Sequence, residues 1–143
     1  MKIVDQLLID APVERVWALT EDVERWPTLT PTIRSVERLE TGPFGLGSTA
    51  RIVQPRQRPA VWTVTRFDRP TRFEWRTTVF GITMTGGHEL EDLGESCRNT
   101  LTLDVSGRGS GLFMRLFGRV MRAAIATENR GFKQHAEAAV TPA

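Results

Sequence analysis

The last third of the chain constrains the fold most. Leu101-Thr102-Leu103-Asp104-Val105 alternates apolar and polar residues as a strand does. Gly107, Gly109 and Ser110 then interrupt the pattern, and a helical period runs from Ser110 or Gly111 to about Glu137. One long helix ending a chain of strands must lie across their sheet, because nothing else can cover its apolar face. A sheet that curls around such a helix encloses a space, and the residues facing that space carry the functional argument.

The preceding chain supplies the sheet. A first strand is expected over Lys2–Ile9, and Ala11-Pro12 opens a helix with Pro in its first turn and Val13, Val16 and Trp17 as its stripe. Asp22 is placed to cap a second short helix carrying Val23 and Trp26, which Pro27 and Pro31 end. Further strands are expected over Ile33–Glu40, Ser48–Gln54, Ala60–Asp68, Arg72–Val79, Thr83–Asp92 and Cys97–Ser106. Short turn-rich connections make them an antiparallel meander. Gly86-Gly87 inside a strand suggests a bulge or sharp bend. The final helix carries Phe113, Leu116, Phe117, Val120, Met121, Ala124, Ile125 and Phe132 at helical spacing, with Ser110 as its N-cap; the tail from Val140 is expected to fray. The fold class is α+β, one domain spanning residues 1–143.

Composition narrows the partners. With 143 residues, 40% apolar and 25% charged, the profile is that of a soluble globular domain. Apolar runs are too short for a membrane span, and the early acid Asp5 argues against a secretory signal, so a cytoplasmic protein is expected. Net charge is +2 and the cations, nearly all arginine, are spread among acids, which argues against nucleic acid. The heavy use of arginine over lysine points to a GC-rich bacterial genome, a coding bias that says nothing of function. The one basic cluster, Arg108, Arg115, Arg119, Arg122, Arg130 and Lys133, reads as a solvated helix face, with an anionic membrane surface or an acidic partner as the alternative. One Cys and two His supply poor metal ligands, so neither metal nor cofactor is expected.

Strand alternation sorts the side chains. Phe73, Trp75 and Thr77 share an inward face; Met84, Gly86, His88 and Leu90 share another if the glycine pair keeps register. Leu101, Leu103 and Val105 bring Asn99 and Cys97 inward, and Trp62 and Val64 point in from their strand. With Trp26 at the rim and Phe113, Phe117, Met121, Ile125 and Glu128 on the helix, the inward set is ring-rich with few polar groups. That is the make-up of a small-molecule pocket, or of a core simply filled by rings. His88 is the candidate general acid/base, since an ordinary imidazole titrates near working pH. Its alternative is a core histidine or a ligand-orienting donor. Glu128 would be an acid of raised pKa, or else would pair with an arginine such as Arg51. Cys97 reads as a small buried hydrophobe.

Several phrases together resemble a known superfamily: Ile9 to Trp17 (IDAPVERVW), Asp22 to Pro27 (DVERWP), Gly45 to Ser48 (GLGS), Trp62-Thr-Val64, Phe73-Glu-Trp75 and Gly87-His-Glu-Leu90. They are similar to the START-like (SRPBCC) proteins, which include the Bet v 1 allergens, and most to the bacterial polyketide cyclase/dehydrase-like members. The resemblance implies a helix-grip fold, a curved seven-stranded antiparallel sheet around a long C-terminal helix, with two short helices after the first strand. It also implies a deep cavity between sheet and helix, entered past Trp26–Thr30, Phe44–Gly47, Arg56–Pro59 and Phe80-Gly81. The superfamily holds carriers, receptors and enzymes, so fold does not settle function. Two readings follow: a carrier of a lipid, polyketide or isoprenoid-type ligand, or a cyclase/dehydratase using His88. A third is a module delivering cargo to a membrane or partner. The chain lacks Tyr, which weakens the cyclase reading. A monomer and a homodimer are equally compatible with the sequence.

Overall fold

A computed structural model describes residues 1–138; the tail from Val140 lies outside the described residues. The elements follow in chain order: β1 Lys2–Ile9, α1 Val13–Glu21, a single 3₁₀ turn Val23–Arg25, α2 Trp26–Leu29, β2 Ser35–Arg38, β3 Thr49–Val53, β4 Ala60–Asp68, β5 Arg72–Val79, β6 Ile82–Asp92, β7 Cys97–Gly107 and α3 Ser110–Ala138. The sheet order is β1-β7-β6-β5-β4-β3-β2. Every neighbouring pair is antiparallel. The strands β2 to β7 form the expected meander, and β1 closes the far edge beside β7. The short helices therefore carry the chain from one edge of the sheet to the other. This is the helix-grip α+β fold.

Several local expectations are corrected. Pro12 is the extended cap before α1 rather than part of its first turn. Pro27 lies inside the first turn of α2 rather than after its end, where a missing N–H is tolerated. Asp22 makes no side-chain cap and instead pairs with Arg25. At the start of α3, the Gly109 carbonyl accepts from the Phe113 amide. Strand β2 is shorter than its alternation suggests. Ladder bonds extend one residue beyond each end, Arg34 N–H to the Val53 carbonyl and Leu39 N–H to the Thr49 carbonyl.

The glycine pair in β6 makes no bulge. Register runs unbroken through Gly86 and Gly87 on both sides, Trp75 facing Gly86 and Gly87 facing Thr102. The register shift lies between Val64 and Arg66 in β4. The glycines serve clearance instead. A Cβ on Gly86 would press on the Trp75 indole at 3.4 Å, and one on Gly87 would meet the Thr102 hydroxyl.

The core is a chain of rings. Trp26 packs edge-on against Phe73, Trp75 and Phe132, and Phe73 contacts Trp75 and Phe67 in the same way. Helix α3, 29 residues and roughly 40 Å long, lies against β1, β7, α1 and α2. Its apolar stripe is not all buried. Phe132 and Ala136 are core residues, whereas Leu116 and Val120 are 64% and 65% exposed and Phe117 is 47% exposed. Apolar residues at helical spacing cover more arc here than the sheet beneath can bury.

Candidate functional site

Sheet and helix enclose a cavity of about 480 Å³. Its floor comes from β4 (Trp62), β5 (Trp75), β6 (Met84, Gly86, His88) and β7 (Leu101, Leu103), and its closed end from Trp26 and Ile33. Helix α3 forms the opposite wall with Phe113, Phe117, Met121, Ile125 and Glu128. Thirteen of the twenty residues sorted inward from sequence lie in this lining. The others, four of them candidate site residues, sit behind it. Val64 and Thr77 are buried, Phe73 is fully enclosed by rings, and Asn99 is fully buried in an amide network.

The mouth matches the expected one in part: of the segments named from sequence, Arg56–Pro59 supplies Arg56 and Gln57, whereas Phe44–Gly47 and Phe80-Gly81 lie outside the lining. The β3–β4 connection, Gln54 to Gln57, lines the cavity together with Phe117 and Val120. Arg56 at this rim holds a positive φ of 62°. Phe44 turns inward onto Phe67, Phe73 and Trp75. Phe80 and Leu46 point to solvent away from the lining. The opening thus lies between a loop and the first half of α3.

Few polar groups face this space. His88 packs among Trp26, Phe73 and Phe132. Its Nδ1 is buried without a hydrogen-bond partner among the described residues, as is the Trp62 indole nitrogen. Burial drives the imidazole down from 6.5 to about 3, so His88 is neutral at working pH rather than titrating there. Glu128 behaves in the opposite sense. Burial raises its carboxyl from 4.5 to about 7, partly offset by a hydrogen bond from the Thr32 hydroxyl at 3.0 Å. Thr30 and Thr32 share a further hydroxyl contact at 2.8 Å. Among the described residues no arginine pairs with Glu128: Arg51 points outward and pairs with Glu37. A carboxyl so placed exchanges a proton near neutral pH, where most cavity carboxyls with a cation beside them would not.

Asn99 serves position rather than the cavity. Its amide donates to Asn129 at 2.9 Å, and Asn129 in turn donates to the carboxylate and carbonyl of Asp5. This network ties α3 to β1 and β7. Sequence reading missed Asn129 and Thr32, and of the rim it held Arg56 and Gln57 but not Gln54 and Pro55. Asn129 carried a signal, a polar residue on the inward side of a helix next to Phe132; Thr32 carried none. Cys97 is fully buried and its thiol is pushed up to about 11, first by burial and then by Asp92. Among the described residues no cluster of His, Cys, Asp and Glu is placed to hold a metal, and no helix is long and apolar enough to cross a membrane.

Similar folds accompany this geometry. The TTHA0849 protein of Thermus thermophilus superposes with a TM-score of 0.78 at 21% identity, covering 99% of this chain and 100% of that one. The Zhui aromatase/cyclase of Streptomyces sp. R1128 gives 0.79 at 21% identity, covering 99% and 96%. A START superfamily protein of Mycobacterium smegmatis gives 0.75 at 14%, covering 97% and 99%. At such identities these likenesses establish the fold alone. No curated protein matches the sequence. The family model for polyketide cyclase/dehydrase and lipid transport matches residues 1–137. With nearly every residue inside that match, the chain belongs to the polyketide cyclase/dehydrase and lipid-transport family.

Proposed function

We propose that this protein binds and carries a small hydrophobic molecule bearing an oxygen function at one end. The observation that carries this reading is the ring-lined cavity of about 480 Å³, open at one side. Its volume lies in the usual range for ligand pockets, and burial of apolar ligand surface at ~25 cal/mol per Å² supplies affinity. The polar groups fit an uncharged ligand end. Trp62 and His88 offer ring nitrogens with no partner among the described residues. Glu128, protonated below about pH 7, can donate to a carbonyl or hydroxyl oxygen. The test is native mass spectrometry of the freshly purified protein, followed by solvent extraction and titration with a dansyl-labelled fatty acid. A co-purifying apolar molecule or saturable probe binding is expected. Failure of both, with Trp75→Ala costing stability and opening no probe site, would mean the rings merely fill a core.

One observation favours a second reading, a cyclase/dehydratase. Glu128 is deeply buried and exchanges its proton near neutral pH, as a general acid/base requires. His88 is weaker in that role, because an imidazole held near 3 does not retain a proton taken from substrate. In this reading His88 orients substrate and Glu128 moves the proton. Glu128→Gln would then abolish turnover and keep binding, whereas in a carrier it would alter affinity only.

A further inference from the structure

The first half of α3 carries a surface that neither core nor cavity accounts for. From Val105 to Thr127 the chain has four arginines and no acid. All four are exposed, and none has a hydrogen-bond or ion-pair partner among the described residues. The second half is different: there Lys133 pairs with Glu137. Beside the arginines lie Leu112, Leu116 and Val120, 63%, 64% and 65% exposed.

Helical spacing arranges these residues in stripes. Arg115, Arg119 and Arg122 recur at i, i+4, i+7, and Leu112, Leu116 and Val120 at i, i+4, i+8. At 3.6 residues per turn the leucine stripe falls between the arginine stripe and the cavity-lining Phe113 and Phe117. The exposed apolar surface is therefore continuous with the cavity mouth. Its other side is bordered by uncompensated positive charge.

We propose that this face docks on an anionic lipid bilayer, with the cavity mouth turned toward the lipid. The inference rests on the carrier reading for its purpose but not for its chemistry. Side chains projecting from a convex helix enter a fluid acyl boundary without needing a matching groove, and flanking guanidinium groups meet the phosphates. Docked in this orientation, the mouth opens where an apolar cargo resides, and the cargo crosses no water. An acidic protein would satisfy the arginines, but the projecting leucines would need a groove shaped to receive them.

The full-length chain is assayed by co-sedimentation with vesicles of phosphatidylcholine alone and with added phosphatidylglycerol. Binding to the anionic vesicles only, weakening as salt rises, is expected. Arg115→Gln, Arg119→Gln and Arg122→Gln combined should weaken it on the order of 100-fold. Leu112→Ser with Leu116→Ser should also weaken it, and both variants should keep wild-type affinity for the dansyl-labelled fatty acid. Vesicle binding indifferent to lipid charge, or unchanged in the arginine variant, overturns the proposal. So does a dimer that binds no vesicles and dissociates in the leucine variant, which would make a second copy the occupant. Loss of fatty-acid binding with vesicle binding retained would overturn the carrier reading and leave docking standing.

Discussion

The two halves of α3 share one continuous helix and do opposite work. From Asn129 onward the helix is locked in place. Asn129 is fully buried and bonded to Asp5 and Asn99, Phe132 and Ala136 are core residues, and Lys133 reaches the Leu8 carbonyl. Before Thr127 only Gly118 is buried. That half walls a cavity with its inner side and shows leucine and arginine on its outer side. Cavity walls forgo packing contacts that a core supplies, so the fold must fasten the helix elsewhere. Here the fastening is gathered at the C-terminal end, leaving the mouth beside the loosely held end.

The largest effect expected from this contrast is at Gly131. A Cβ there would run into the backbone carbonyl of Leu29, which cannot yield as a flexible side chain would. Gly131→Ala should push α3 off α2 and cost about 3 kcal/mol, the upper part of the range for overpacking. Urea unfolding reads this as a lowered midpoint. An unchanged midpoint would mean that the C-terminal half is not the anchor.

The next effect depends on pH and contrasts the cavity's two titrating groups. Glu128 titrates at about 7 folded against 4.5 unfolded. Between those values the folded chain holds a proton that the unfolded chain has shed, so this group's stability contribution falls as pH rises from 4.5 to 7. His88 titrates at about 3 folded against 6.5 unfolded. Its contribution is present above 6.5 and is lost as pH falls toward 3. The two slopes oppose one another between 4.5 and 6.5. Glu128→Gln, which copies the protonated acid, should therefore gain on the wild type steadily from pH 4.5 to 7 while keeping the acid-side loss. Unfolding midpoints across that range check it; parallel curves would show Glu128 to be solvated and ionised.

Much of this molecule was legible in its sequence, for identifiable reasons. The faces of β5 and β7 followed from alternation alone, because one side of a curled antiparallel sheet must be apolar; that of β6 needed the unbroken register through Gly86 and Gly87 as well. Family phrases such as Ile9 to Trp17 and Asp22 to Pro27 led to the helix-grip fold. What escaped was decided between distant segments. Thr32 and Glu128 meet across 96 residues, and no local pattern announces that pairing or denies Glu128 an arginine. The glycines of β6 looked like a bend because Gly in a strand usually marks one; the Trp75 ring opposite Gly86 explains them better. On α3, periodicity shows that Leu116 and Phe132 are both apolar positions. It is silent on whether sheet, cavity or solvent lies opposite each.

The smallest effect has the opposite sign and sharpens the comparison most. Gly118 is the one buried residue in the first half of α3. Unlike Gly131, its nearest neighbours are the ends of flexible side chains, Arg122 at 3.5 Å and Met114 at 3.9 Å. An added methyl would make ordinary contacts there. Replacing glycine within a helix removes backbone freedom from the unfolded chain and favours the helix by about 0.5–1 kcal/mol. Gly118→Ala should therefore stabilise the protein, raising the urea midpoint where Gly131→Ala lowers it. Both substitutions add the same methyl to the same helix, so propensity alone predicts the same gain for both. A difference in sign would locate the constraint in what faces the helix, hard backbone at one end and yielding side chains at the other. Destabilisation at Gly118 would instead place a second rigid contact beside the cavity wall, and the loosely held end would no longer be loose.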